Sequence, residues 1–302
     1  MKQALLERLH AERLVHGIEM ERIYSYVGVS RQGYYQKKAR LEKETSMLSE
    51  IEVLVRDYRQ EKDRRAGLRS LYHNLEIKSH YGIGVNKFER LTSQAGLSLK
   101  PLRIRVVTTQ SVCQSWNYSN LSKGLKVNGI NQLIVGDLTY IDLAGVRYYL
   151  FCLTDVYSAR IVGVSLNKRM RAIDAKQALE QCVSLRGRTS LEGCIHHTDG
   201  GSQYFSKLYL ADIGRLKFRI SVANNCLENG YAEQRNSCLK HHLIPTMKFS
   251  NNMQSLQKEL TRVIEFYNHQ RKQEGLNWLS PVEFEKKNKE AKSKEKYVRI
   301  IK

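Results

Sequence analysis

An α/β domain that follows several small helical units is the fold class that the sequence predicts. Three observations lead to this prediction. Apolar residues recur at helical spacing before residue 100, a basic stretch without periodicity follows, and strand-like apolar runs begin after residue 130. The 302 residues, 41% of them apolar, are enough for two or three domains with ordinary cores.

These changes of pattern along the chain predict five segments. We expect a helix-turn-helix at 1–45, a second helical DNA-binding unit at 46–99, a basic linker at 100–129, an α/β core at 130–250, and a C-terminal helix with a basic tail at 251–302.

The first segment has the pattern of a helix-turn-helix. Ile23, Tyr24 and Val27 indicate one helix, and Gly28-Val29-Ser30 supplies a turn and an N-cap for the next. The second helix carries side chains able to reach bases or phosphates, namely Arg31, Gln32, Tyr34, Lys37 and Lys38. Two surface helices of an all-helical domain are the alternative, because short patterns of this kind are weakly specific.

Three helices between residues 48 and 99 form the predicted second unit. The first has apolar side chains at helical spacing, and Gly67 to Leu75 and Val85 to Ala95 form two more. Helices of this length suggest another small DNA-binding bundle. The linker that follows has no period, and its Arg103 and Arg105 are candidates for contact with a phosphate backbone.

The strands of the core begin after residue 130. Three β-type runs at 133–142, 147–155 and 160–166 predict an antiparallel meander. After them we predict a helix at 172–185, a strand at 193–198, a helix at 203–213, a strand at 217–222 and a helix from about 228 to 242. This order of elements is that of a ribonuclease-H-like fold.

One more helix, from 253 to 268, follows the core. Its single apolar stripe predicts burial against the core rather than contact with DNA. Arg271 and the tail from residue 286, which has eight basic and two acidic residues, are better candidates for phosphate contact.

The charge of the chain favours a polyanionic partner. The formal net charge is +20; residues 1–130 hold 23 basic and 13 acidic groups, whereas residues 131–285 hold 19 and 15. A positive field on both flanks of a nearly balanced middle suits nucleic acid, above all double-stranded DNA. A basic soluble or ribosome-associated protein is the alternative from composition alone.

The sequence also indicates in which cellular compartment the protein acts. No segment resembles a signal peptide or a membrane span, so we expect no membrane partner and a cytoplasmic protein. The six cysteines include no Cys-x-x-Cys pair, and we expect them to be reduced and without structural zinc.

Three acidic residues are the candidates for a catalytic site. Asp137 interrupts the apolar run of the first core strand, Asp199 follows the strand at 193–198, and Glu233 lies in the first turns of a helix. In a ribonuclease-H-like layout these three places converge at one edge of the sheet. Carboxylates brought together repel, so such a cluster ionises fully around a hard cation such as magnesium.

Other titratable residues are given structural roles. We expect Asp142 and Asp155 to be turn or edge residues at the ends of strands. His196 and His197 are expected to form local hydrogen bonds rather than to shuttle protons.

Several motifs, in order, give the chain a resemblance to a known family. Asn131-Gln132-Leu133-Ile134-Val135-Gly136-Asp137-Leu138-Thr139-Tyr140-Ile141, His197-Thr198-Asp199-Gly200-Gly201-Ser202-Gln203-Tyr204, and Tyr267-Asn268 with Arg271, Leu276 and Ser280-Pro281 resemble the integrase-type transposases of the insertion-sequence-3 family. The resemblance covers most of the chain. It implies a DDE site of Asp137, Asp199 and Glu233 with two divalent cations, Mg²⁺ or Mn²⁺. It also implies DNA strand cleavage and strand transfer, at the ends of an insertion sequence and into a target, in a multimeric complex.

Two departures from the family pattern concern the third acid. Only 33 residues separate Asp199 from Glu233, fewer than is usual, and Glu228-Asn229-Gly230 stands where the family has Asp-Asn-Ala. Glu228 is therefore a rival ligand, although an acid at a helix start is also favoured by exposed backbone amides. On the helix of Glu233, Asn236 and Lys240 share its face and, with Asn229, are candidates for contact with the DNA end.

Two other functions remain open at this point. A structure-selective nuclease of the same fold would cut DNA without recognising a terminal sequence. A non-catalytic DNA-binding regulator would keep the helical segments but not the metal site.

Overall fold

The computed structural model describes residues 2–17, 19–101, 118–223, 226–248, 252–290 and 297–301. The predicted DNA contacts Arg103 and Arg105 lie outside these ranges. None of the helices within them is long and apolar enough to cross a lipid bilayer.

The chain begins with two short helices and one long one: α1 (Lys2–His16), α2 (Met20–Val27) and α3 (Arg31–Glu61). Gly28 takes a left-handed φ of 67°, and the Ser30 side chain caps α3 by accepting a hydrogen bond from the Gly33 N–H at 3.0 Å. The expected division after residue 45 falls inside α3. The helix continues there because residues 39–50 are mostly good helix formers without Gly or Pro.

The second helical unit packs on the C-terminal half of α3. It contains α4 (Leu68–Asn74), α5 (Ile77–Tyr81) and α6 (Val85–Gln94). Ile51 and Val55 of α3 are fully buried with Leu71, Ile77 and Phe88. The helices expected near 67–75 and 85–95 are thus present, whereas the short α5 between them was not predicted.

A five-stranded mixed sheet forms the core. Its strands are β2 (Leu133–Leu143), β3 (Val146–Asp155), β4 (Ile161–Asn167), β5 (Ile195–Thr198) and β6 (Arg219–Val222). The order is β4-β3-β2-β5-β6; the first three form the predicted antiparallel meander, and β5 and β6 run parallel to β2. A separate pair joins β1 (Lys126–Val127) to β7 (Arg299–Ile300). This is the predicted ribonuclease-H-like arrangement.

Helices cover both faces of the sheet. Phe151 and Leu153 of β3 pack with α7 (Ala172–Arg186) and α8 (Lys207–Arg215), whereas Leu150 and Cys152 face the opposite side. That side is covered by α9 (Gly230–Cys238), α10 (Met253–His269) and α11 (Pro281–Glu290). The apolar stripe of α10 is buried there, as the sequence predicts.

Two helix boundaries differ from the prediction. The helix expected from residue 203 begins as α8 at Lys207, because the Ser206 side chain caps it by accepting from the Tyr209 N–H at 3.2 Å. The helix expected over 228–242 is divided into a 3₁₀ turn at Cys226–Asn229, α9, and a π-helical turn at Leu239–Leu243. Its total extent agrees with the prediction.

The second helical unit is attached to the core by polar contacts. Asp63, after α3, accepts hydrogen bonds from His242 Nδ1 at 2.8 Å and from Arg271 Nε at 2.9 Å. Asn74 of α4 exchanges two hydrogen bonds with the backbone of Lys272. These contacts hold the end of α3 and α4 against the core.

Candidate active site

Asp137 and Asp199 lie side by side on neighbouring strands. β2 and β5 pair in parallel, with Gly136 opposite Thr198. Asp137 follows Gly136 and Asp199 follows Thr198, so the two aspartates are neighbours. β5 ends at this point, and Gly200 takes a left-handed φ of 81° in the turn that follows. The predicted convergence of these two acids at one end of the sheet is therefore present.

Helix α9 brings the third acid to the same place. Asn236 of α9 donates a hydrogen bond from Nδ2 to Oδ2 of Asp137 at 2.7 Å, which fixes the helix against β2. Glu233 lies three residues earlier, about one helical turn away on the same face. The three carboxylates thus come from a central strand, a strand end and a helix.

Burial raises the pKa of all three acids, and the charge of Asp199 adds to the rise for Asp137 and Glu233. Burial, and then the charge of Asp199, raise the pKa of Asp137 to about 7, although hydrogen bonds from Asn236 and the Leu138 N–H oppose the rise. Loss of hydration raises the pKa of Asp199. Loss of hydration and the charge of Asp199 raise the pKa of Glu233. A cluster that repels itself in this way favours a cation as its neutralising partner.

Buried oxygen atoms surround Asp137. The side-chain oxygens of Asn229, Asn236, Thr198 and Tyr204 are buried and have no hydrogen-bond partner among the described residues. The Asn229 amide donates to the carbonyl oxygen of Gly136 at 3.3 Å. Burial raises the pKa of the Tyr204 hydroxyl, and the charges of Asp137 and Asp199 add to the rise. Buried polar atoms without partners are rare in proteins, so these four oxygens are available to water or a ligand at the site.

Glu228 has a different environment from Glu233. Its Oε2 accepts a hydrogen bond from Asn120 at 2.7 Å, and its backbone carbonyl accepts one from His197 Nε2 at 3.3 Å. Glu233 is among the charges that raise the pKa of Asp137, and Glu228 is not. The geometry therefore associates Glu233, rather than Glu228, with the two aspartates.

The donor set fits a hard divalent cation in its chemistry. All donors are carboxylate oxygens, which are the ligands that magnesium prefers. Within the described ranges, no group of three or more His, Cys, Asp and Glu side chains is arranged to hold a metal ion. Asp199 and Glu233 keep exposed surface at the rim of the site, so both side chains have room to turn toward a shared ion.

Comparison with known proteins identifies the core. Residues 128–226 and 215–281 match two family models, each described as an integrase core domain. The chain is 29% identical over 266 residues to the insertion element IS600 uncharacterized 31 kDa protein of Shigella sonnei, covering 86% of this chain and 96% of that protein. It is 31% identical to the transposase InsF for insertion sequence IS3A of Escherichia coli (strain K12), over 56% of this chain and 58% of the relative. The chain belongs to the insertion-sequence-3 family of transposases. The resemblance seen in its motifs is confirmed.

One further transposase and one solved structure are similar to part of the chain. The transposase for insertion sequence element IS904 of Lactococcus lactis subsp. lactis is 31% identical over 54% of this chain and 64% of its own length, so this alignment, like that with InsF, spans about three fifths of the relative. A magnesium complex of the HTLV-2 integrase catalytic core domain matches 52% of this chain and 97% of that one, with 18% identity and a TM-score of 0.44.

The helix-turn-helix residues divide into exposed and buried ones. Arg31, Gln32, Lys37 and Lys38 are exposed on the first turns of α3, and their contact with DNA stays a prediction. The prediction that Tyr34 contacts DNA is wrong. Its side chain is 2% exposed and stacks on His10 with ring centroids 4.8 Å apart, inside the small core of the first three helices.

Three of the four predicted DNA contacts near the core have partners inside the protein, whereas contact of the fourth, Lys240, with DNA stays a prediction. Arg271 is an internal ion-pair partner of Asp63 rather than a surface cation. Asn229 and Asn236 are buried, and both hold β2 in place beside Asp137. Lys240 is half-buried with its Nζ 4.2 Å from the ring centroid of Tyr140, at the edge of the site.

The two histidines before Asp199 have the predicted local role. His196 Nδ1 donates to the Ile134 carbonyl at 3.3 Å, and the Tyr209 hydroxyl donates to its Nε2 at 2.9 Å.

Asp155 is more than a strand-end residue, because it is fully buried and paired with Arg186. Sequence reasoning did not single out Thr198 and Tyr204 as site residues; their positions next to Asp199 were the available signal.

Proposed function

We propose that this transposase cleaves DNA strands at the ends of an insertion sequence and joins the resulting 3′ ends to another strand. The observation that supports this most is that three different elements bring Asp137, Asp199 and Glu233 together, so that the charge of Asp199 helps to raise the pKa of the other two acids. Repelling carboxylates at the end of a sheet suit phosphodiester chemistry because that chemistry depends on neutralising charge.

The proposed cofactor is a pair of divalent cations, magnesium or manganese, held by these three acids. When bound, such ions make a bound hydroxyl more nucleophilic and offset the charge of the leaving oxygen. The chain itself fixes the orientation of Asp137 through Asn236 and the Leu138 N–H, at 2.7 and 2.9 Å. Asp199 and Glu233 are left exposed at the side from which DNA approaches.

The proposed partners are the terminal repeats of the element and a target duplex. Exposed Arg31, Gln32, Lys37 and Lys38 would contact the repeat, since a recognition helix usually reads bases with its N-terminal residues. Two DNA ends must be joined in one event, so we further propose that several copies of the chain act together on DNA.

A strand-cleavage assay tests the function. The chain is incubated with magnesium and a labelled duplex that carries the terminal repeat of its own element, and cut or joined strands are resolved on a denaturing gel. Asp137→Asn, Asp199→Asn and Glu233→Gln should each lower product by at least about 100-fold, because each removes a charge that acts in the transition state. Gel-shift affinity for the repeat should remain within about 2-fold.

Glu228→Gln is the matched control, because it removes a neighbouring carboxylate that is bonded to Asn120. It should retain most activity; the reverse result, with Glu228 essential and Glu233 dispensable, would refute the assignment of the third acid. Cleavage that ignores the repeat sequence would indicate a structure-selective nuclease instead. Binding of the repeat without any cleavage would indicate a regulator.

A further inference from the structure

A cleft of about 920 Å³ lies between the second helical unit and the core, next to Glu233. Residues of α4 and α6 line one side, and residues of α9 and of the segment 271–278 line the other. The volume is that of a ligand pocket. It can hold a few nucleotides of a single strand but not a duplex.

The lining of the cleft has more cations than anions. Five Arg and Lys side chains meet three Glu side chains: Arg69, Arg235, Arg271, Lys272 and Arg299 against Glu89, Glu233 and Glu274. Some of these cations already have partners, since Arg69 pairs with Glu89 at 3.0 Å and Arg271 with Asp63 at 2.9 Å. Arg235 and Arg299 form no ion pair with any described residue.

Arg235 is an unusual cation for its position. Its residue is 8% exposed, yet its hydrogen bonds to described residues go only to uncharged groups, on Gln234, Tyr267 and Gln273. A buried guanidinium without an anionic partner is costly, and an incoming phosphate would remove that cost. Arg299 lies 5.5 Å from the ring centroid of Tyr231 and lines the same cleft.

An aromatic stack stands on the wall of this cleft. Trp278 stacks on His73 of α4 with ring centroids 3.8 Å apart and an interplanar angle of 10°. Asn277 and Trp278 both have left-handed φ values, 55° and 59°, which non-glycine residues rarely adopt in succession. Strained backbone of this kind is found at ligand-binding positions, where it holds a side chain in place.

We propose that this cleft binds a short unpaired stretch of a DNA strand, with a base added to the His73–Trp278 stack and phosphates on Arg235 and Arg299. Bases stack on aromatic side chains irrespective of sequence, and basic side chains follow the backbone. Because Glu233 belongs to both the cleft lining and the acid cluster, the bound nucleotides lie beside the phosphate that reacts. The inference rests on the proposed function, since it assigns the path of the strand at that site.

Tryptophan fluorescence tests the stacking. The chain has two tryptophans, and Trp116→Phe leaves Trp278 as the reporter. This protein is titrated, without divalent cations, with a forked duplex that has a few unpaired nucleotides and with a fully paired duplex of the same sequence. The fork should quench the fluorescence strongly and the paired duplex should not. Equal quenching by both, or quenching by inorganic phosphate alone, would overturn the proposal.

Substitutions test the residues. In the full chain, Trp278→Ala should weaken binding of the fork roughly 10-fold with binding of the paired duplex unchanged, and Trp278→Phe should restore most of the loss. Arg299→Gln should weaken fork binding and lower its salt dependence by about one counterion. The matched control is Arg215→Gln on α8, across the sheet, which should change neither.

The two proposals fail separately. Cleavage of the terminal repeat by the Trp116→Phe protein, with no quenching by the fork, would reject the strand path and leave the proposed function intact. Quenching by the fork, with no cleavage in magnesium, would reject the proposed function and leave the binding of an unpaired strand in the cleft intact. Thermal unfolding of each variant identifies any that fails to fold.

Discussion

At the residue scale, Asp137 is a carboxylate held in place while its environment opposes its charge. Two hydrogen bonds, from Asn236 and the Leu138 N–H, favour the anion, whereas burial and the charge of Asp199 raise the pKa to about 7. Because the pKa of Asp137 rises on balance, the surrounding protein groups do not fully offset the negative charge of the carboxylates. The orientation of the carboxylate is thus set before any ligand arrives.

Asn236 is therefore expected to act through Asp137. Asn236→Ala removes the 2.7 Å hydrogen bond and should lower the cleavage rate about 10- to 100-fold, with little change in DNA affinity. Asn236→Asp should lose more activity, because it adds a carboxylate beside Asp137. Rates and gel-shift affinities measured together check this, and a fully active Asn236→Ala protein would contradict it.

His196 gives a dependence of stability on pH. Burial lowers its pKa to about 4, so the unfolded chain binds the proton more readily than the folded one. The stability from the neutral imidazole is complete above about pH 6.5 and is lost as the pH falls toward 4; between pH 7 and 5 the loss is about 2 kcal/mol. Urea unfolding at both pH values should show a smaller difference for His196→Asn than for the wild-type chain. An unchanged difference would assign the effect to other groups.

The sequence predicts some site residues and not others for a physical reason. Asp137 and Asp199 are predictable because an acid inside or directly after an apolar strand requires a partner. Tyr34 was assigned to the wrong face, since one short helix has too few apolar positions to define its buried side. Arg271 was misassigned because its partner Asp63 is distant in sequence, and only the fold brings them together.

At the element scale, the sheet and its crossover helix fit closely at Gly163. A Cβ at this position of β4 would lie 2.0 Å from the carbonyl oxygen of Ala178 on α7. The helix can approach the strand only because the side chain is absent. α7 lies here against the face of the sheet opposite α9.

Gly163→Ala should lower the free energy of unfolding by about 3 kcal/mol, since a rigid backbone must move. Gly214→Ala in α8 is the control: its Cβ meets no atom within 4 Å, and it should be neutral or stabilising by up to about 1 kcal/mol. Urea unfolding of both variants checks the difference. Equal stabilities would show that α7 can shift without cost.

The elements themselves were largely predictable. The strand runs and the apolar stripe of α10 have clear periods, whereas boundaries such as Lys207 depend on which serine forms the cap. The continuity of α3 was missed because a boundary was expected between two units that each have their own core.

At the scale of the whole molecule, Asp63 joins the second helical unit to the core. Although burial opposes it, hydrogen bonds from His242 and Arg271 hold the pKa of Asp63 below its usual value. Both partners belong to the core side, and the carboxylate is fully buried. Together with the Asn74–Lys272 hydrogen bonds, this ion pair therefore holds the two sides of the cleft beside Glu233.

Asp63→Ala should destabilise the chain by about 3–5 kcal/mol, because it leaves Arg271 buried without a partner. The double variant Asp63→Ala/Arg271→Met should cost less than the sum of the single changes. Urea unfolding of the four proteins of this cycle measures the coupling. Additive losses would show that the pair does not hold the units together.

The long helix α3 sets a distance. Its 31 residues span about 46 Å, its first turn carries the exposed Arg31 and Gln32, and its last turns are fixed to the core through Asp63. On duplex DNA this length corresponds to about 14 base pairs. Because a continuous helix is stiff, we expect a constant separation between the bases that its first turn contacts and the phosphate that is cut. Lengthening α3 by whole turns should then move the cut site rather than abolish recognition.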